Sequence, residues 1–140
     1  MGLSTGALEL KTSAKVPLVD IMLMIGIASE AHTGLVALCF PEKTICATVS
    51  RMLGENFSQI SPDVMDASKE ILNILFNLVK KPLGEKGIVA FRSIPAVVRG
   101  QNMELCYLSR TNTVIVPFES KLGALFCEIT LHTATVSERF

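Results

Sequence analysis

Ser61 to Lys81 reads SPDVMDASKEILNILFNLVKK, and this stretch decides what the rest of the chain must do. Ser61 is a good N-cap, Pro62 suits the first helical position, and Asp63 complements the positive end of the helix dipole. No Gly or Pro interrupts the run until Pro82, where the helix is expected to end, since proline brings no N–H and crowds the preceding turn. At roughly 100° per residue, Asp66, Glu70, Asn73 and Asn77 fall within about 60° of one another. Val64, Met65, Ala67, Ile71, Leu72, Ile74, Leu75, Phe76, Leu78 and Val79 take most of the remaining circumference. The stretch predicts a largely buried helix with one narrow polar stripe.

The plain reading of that stripe is the solvated face of an amphipathic helix. Its composition argues for more. Asn is a mediocre helix former because its amide competes for backbone partners, and a face selected only for solvation favours Lys, Glu, Gln or Arg. Here two carboxylates and two amides hold the stripe, with Lys69 at its edge and Lys80 at its far end. Lys80 and Lys81 fit the negative end of the dipole.

Working outward, Pro41 and Glu42 open a second helix that runs to about Leu53 and stops at Gly54. Before it, Ala7 to Lys11 alternates like a half-buried strand. Val16 to Ile27 is apolar enough for a strand buried on both faces or lying in a subunit interface, with Pro17 marking its start. Ala31 to Gly34 reads as a turn and Leu35 to Phe40 as the hairpin partner. After the long helix, Gly84 to Gly87 turns the chain into Ile88 to Phe91. Met103 to Ser109, Thr113 to Phe118 and Ala124 to Leu131 are further strands, the last two joined by a turn at Ser120 to Gly123. Pro117 implies that its strand ends early or sits at an edge. The pattern predicts one α+β domain over residues 1–140, a largely antiparallel sheet with two long helices packed on it.

Composition sets the bounds. The 140 residues are enough for one real core, and 49% of them are hydrophobic. Thirteen basic and thirteen acidic side chains cancel, Trp is absent and Tyr occurs once. That excludes a basic, aromatic-studded nucleic-acid face. Cys39, Cys46, Cys106 and Cys127 have no C-x-x-C or paired-His spacing. They read as core residues in a reducing compartment, with no metal site. The apolar run Val16 to Ala28 is short for a membrane span and Asp20 interrupts it. No basic, apolar leader precedes it. A soluble cytoplasmic protein is expected.

Asp66-x-x-x-Glu70-x-x-Asn73, followed by Pro95 within SIPAVVRG (Ser93 to Gly100), resembles the signature of the CheC/CheX family of chemotaxis phosphatases. The interval from Asn73 to Pro95 is one residue shorter than that family's pattern. The likeness extends over most of the chain, from about Gly6 to Thr133, and strand, turn, strand, then Phe-Pro-Glu into a helix is similar to the order in the CheX group. Two departures stand out: the chain begins almost directly at a strand where the family has a helix, and Glu42-Lys43-Thr44-Ile45 carries Ile where a second E-x-x-N would need Asn. One site per chain is the CheX-like arrangement.

The resemblance implies hydrolysis of the aspartyl phosphate on a CheY-like response regulator. The regulator would bring the phosphoryl group, a bound Mg²⁺ and a Lys, and this chain would need no cofactor of its own. Asn73 would orient the attacking water, an amide having donor and acceptor in one plane without titrating near neutrality. Glu70 would pair with the regulator's Lys, and Asp66 would serve docking or helix support. Pro95 would contribute to binding or only shape a turn. The family likeness also implies a homodimer. A non-catalytic module of the same fold, docking a signalling or flagellar-switch protein, is the alternative. Asn77, His32 and His132 read as surface or structural residues; Arg92 and Arg99 flank Pro95, with solvated positions the plain reading and contact with an acidic regulator face the alternative.

Overall fold

The structure, a computed structural model, describes residues 3–4, 19–104 and 112–133. Among the described residues, six strands and two helices follow in the order β1 (Leu3–Ser4), β2 (Val19–Ala28), β3 (His32–Phe40), α1 (Glu42–Leu53), α2 (Pro62–Glu85), β4 (Val89–Met103), β5 (Asn112–Ser120) and β6 (Gly123–Thr133). The strands form one sheet in the order β1-β5-β6-β3-β2-β4, antiparallel at every pairing. This is the expected α+β architecture. The expected strand Ala7 to Lys11, the start of the apolar run at Val16 and residues Leu105 to Ser109 of the strand expected from Met103 lie outside the described residues, while Met103 itself closes β4.

Both helices cover one face of the sheet. Ile21, Leu23 and Ile25 of β2, with Phe40 and Leu125, meet Ile45, Cys46 and Val49 of α1 and Val64, Ala67, Ile71 and Leu72 of α2. The other face of β2 carries Met22 and Met24 into a second buried cluster with Val19, Ala37, Cys39 and Phe126. β2 is therefore buried on both faces, which accounts for the apolar run from Ile21 to Ile27.

Each helix end has an identifiable cause. Ser61 caps α2 by accepting from the Val64 N–H. Pro41 offers α1 no side-chain cap; instead Asp20, reaching from β2, accepts from the Glu42 N–H at 2.8 Å and from the Asn102 N–H at 3.3 Å. Gly54, at φ 68°, closes α1 in the left-handed conformation and donates to the Ser50 carbonyl.

Three expectations need correction, and one open alternative is decided. α2 does not stop before Pro82 but runs through it to Glu85. Only one turn follows, and the Lys86, Gly87 and Ile88 N–H groups close onto the Leu83 and Gly84 carbonyls, so proline's missing bond is confined to the helix end. The turn after β2 is Ser29 to Ala31, with His32 to Gly34 already paired in β3. β5 does not end early at Pro117, which pairs with Phe126; among the described residues β5 meets β1 only at Glu119 and Ser120, so the proline does sit along an outer side. Last, α2 is less buried than its sequence implies. Ile74 and Leu78 are 44% and 68% exposed, because the helix leaves an apolar groove of about 170 Å³ against Leu38, Phe40, Phe118 and Leu125.

Candidate functional site

The N-terminal half of α2 packs Val64, Ala67, Ser68, Ile71 and Leu72 against the sheet and α1. Ser68 returns its hydroxyl to the Val64 carbonyl, so it adds no unpaired polar group to the core. With that face fixed, helical periodicity directs Asp66, Glu70 and Asn77 to solvent and leaves Asn73 half-buried at the border. The four-residue stripe exists as expected.

Its members are not equivalent. Asp66 faces Lys69 at 3.6 Å one turn on, both side chains well exposed, a pair of little energetic weight. Among the described residues no hydrogen bond or ion pair engages the Glu70 carboxylate, which projects freely. Asn73 is engaged: its Oδ1 accepts from Arg92 Nη1 at 2.6 Å. The same guanidinium lies over the Phe76 ring, 5.0 Å from its centroid, a cation–π contact that further fixes it. Asn77 is exposed.

Arg92 is the residue that sequence reasoning missed. It reads as a solvated flank of Pro95, and no local signal ties it to α2. The link is the path of β4. Val97 and Val98 pair with Leu23 and Met22, but beyond Val97 the register jumps: Ile25 pairs with Arg92, so Ser93, Ile94, Pro95 and Ala96 together stand opposite Met24. Three extra residues are an odd number, and side chains alternate faces along a strand, so the bulge reverses which face Arg92 takes. A regular strand would have turned Arg92 away from the helices. Pro95 itself lies inside this interruption, where a missing N–H leaves no ladder bond broken. It is part of a long strand rather than a turn.

Arg99 lies elsewhere, opposite Ile21 and beside Asp20, Glu42 and Asn102 in a polar hollow near the start of α1. His32 opens β3 and His132 lies in β6. Cys39, Cys46 and Cys127 are free thiols. Burial, with Glu128 adding, pushes Cys39 up to about 12 and Cys127 up to about 11. Burial first and Glu42 second also raise Cys46. They stay neutral, Cys39 and Cys46 as buried core residues and Cys127 half-buried; Cys106 lies outside the described residues. Among the described residues no three His, Cys, Asp or Glu side chains gather as a metal site, and no helix is long and apolar enough to cross a membrane.

The arrangement offers a free carboxylate and a held amide, side by side on a rigid helix and open to a partner. Known proteins share this chain's fold. The sequence profile of the family Chemotaxis phosphatase CheX matches residues 21–119. No curated protein sequence matches the chain. Among solved structures, a CheC-like superfamily protein from Shewanella sp. PV-4 is 27% identical with a TM-score of 0.73, covering 94% of this chain and 85% of that one. The chemotaxis protein CheX from Vibrio vulnificus is 23% identical with a TM-score of 0.69, covering 89% and 83%. A CheX–CheY–BeF3–Mg²⁺ complex from Borrelia burgdorferi gives 19%, 0.67, 91% and 85%. The profile spans well over half of the chain, on the fold these proteins share, and the chain thus belongs to the CheX family of chemotaxis phosphatases.

Proposed function

We propose that this protein hydrolyses the aspartyl phosphate of a CheY-like response regulator, with Glu70 and Asn73 as the residues it inserts into the regulator's site. The observation that carries this reading is the pairing of an unengaged Glu70 carboxylate with an oriented Asn73 amide, one turn apart on the outward face of α2. Family membership supports it. The Borrelia burgdorferi neighbour, a CheX bound with CheY, BeF3 and Mg²⁺, supports the class of partner.

Phosphoryl transfer asks the protein mainly for positioning. The regulator supplies the phosphoryl group, its Mg²⁺ and a Lys. Glu70 pairs with that Lys and sets the docking register, while Asn73 holds the attacking water in line. Asp66, already beside Lys69, contributes to the docking rim, and Pro95 acts through the course of β4. Two copies of the chain pair in solution in the cytoplasm. The exposed apolar side chains Val89 and Phe91 on the outer strand β4 support that pairing. Sedimentation at tens of micromolar should report a dimer, and a monomer there removes the assembly claim.

Orienting a water in the transition state is worth about 3 kcal/mol, or roughly a hundredfold in rate. Asn73→Ala should lose about that much dephosphorylation rate while still binding the phosphorylated regulator, and Asn77→Ala should stay near the parent. A parent that binds a regulator and speeds phosphate loss no faster than its Asn73→Ala variant is instead a non-catalytic docking module.

A further inference from the structure

We propose that Arg92 is a positioning residue for Asn73, brought to it by the bulge around Pro95. The inference rests on the catalytic reading of Asn73 given above. Arginine has five N–H donors and no acceptor. The atom of the Asn73 amide that faces Arg92 Nη1 at 2.6 Å must therefore be Oδ1, and Nδ2 must point away from it. Without such a partner the terminal amide torsion is broad and nearly two-fold, and an amide that turns over presents its donor and acceptor in exchanged places. Oδ1 has two lone pairs. Arg92 takes one, which leaves the second for a water proton and both Nδ2 hydrogens for a phosphoryl oxygen.

Arg92 is itself restrained. Its guanidinium lies over Phe76, one turn along α2 from Asn73, so the helix that carries the amide also carries the platform for its partner. The remaining restraint is β4. Ile25 pairs with Arg92 only because the residues from Ser93 to Ala96 bulge out opposite Met24. This gives Pro95 a role at a distance: it occupies the interruption that turns Arg92 toward the helices.

The test combines Arg92→Met, which keeps the apolar stem on an exposed residue, with Arg92→Lys, which keeps one donor. Single-turnover phosphate release from a phosphorylated CheY-like regulator should fall on the order of tenfold in Arg92→Met, the effect typical of an outer-shell partner, with regulator affinity nearly unchanged. Arg92→Lys should fall less. In an Asn73→Ala background, Arg92→Met should have no further effect, since the two residues act as one unit. In the free protein, the side-chain amide resonances of Asn73, assigned by their loss in Asn73→Ala, should shift or broaden in Arg92→Met while those of Asn77 do not move. An undisturbed Asn73 amide overturns the proposal whatever the rates. So does an Arg92→Met effect of equal size with and without Asn73, which would mean that the cation acts on the regulator directly. A parent that releases no phosphate from any regulator defeats the catalytic reading instead, and the amide spectrum still decides whether Arg92 holds Asn73.

Discussion

The two helices lie on the same face of the same sheet, yet they spend their polar side chains differently. In α1, Glu42 turns inward and accepts from the N–H of buried Ile60 at 3.2 Å. Thr44 donates to the Ala124 carbonyl at 2.8 Å and Thr48 to the Thr44 carbonyl. All three are absorbed in holding the fold. In α2, Glu70 faces solvent without a described partner and Asn73 is held from one side only. A glutamate on a helix thus means opposite things in the two places. α1 lacks the Asn of a second motif, and its Glu42 carboxylate is already committed to Ile60, so it has no free carboxylate to offer a partner. The difference arises from packing: α1 is wedged between β2, α2 and β6, while the stripe of α2 is left outside.

Exchanging the charge tests separate these roles. The largest effect is expected for Glu70→Lys, where like charges at the regulator's Lys cost several kcal/mol. Activity should fall by on the order of a hundredfold or more in kcat/KM, with thermal stability unchanged, since Lys and Glu have similar helix propensities. A variant that keeps its rate removes Glu70 from the mechanism. Glu42→Ala should behave in reverse. It leaves the Ile60 N–H unpaired at a cost of about 1–2 kcal/mol, read by urea unfolding, while the folded protein keeps the parent's rate. Loss of activity without loss of stability there would break the contrast between the helices.

The two N-termini give the finer comparison. Asp20→Ala strips a charged acceptor from the start of α1 and from Asn102, and should destabilise by about 2 kcal/mol. Ser61→Ala removes a longer bond of 3.4 Å and should cost only about 0.5 kcal/mol. Equal losses would mean that the distant cap is no better than the local one.

Much of this was legible because it depends on neighbours in sequence. Ser61-Pro62-Asp63 starts a helix by local chemistry, Gly54 ends one, and the spacing of Asp66, Glu70 and Asn73 follows from helical geometry alone. The alternating and continuous apolar runs likewise located β2, β3, β5 and β6. Pro82 misled because its penalty is steep in a helix interior but small one turn from an end. The exposure of Ile74 and Leu78 could not be read either, since periodicity names an apolar face without saying how far the sheet beneath it extends.

By itself, then, the sequence determined the two helices, most of the strands, the antiparallel α+β class and the membership of the stripe. Tertiary structure alone decided which groups on that stripe are free. Asp20, which looks like a flaw in an apolar strand, became the cap of α1 because strand pairing delivers it there. Arg92, which looks like a solvated flank, reached Asn73 because an odd number of bulged residues reversed its face. Both depend on register between segments far apart in the chain, and a shift of one residue in register moves a side chain to the other side of the sheet.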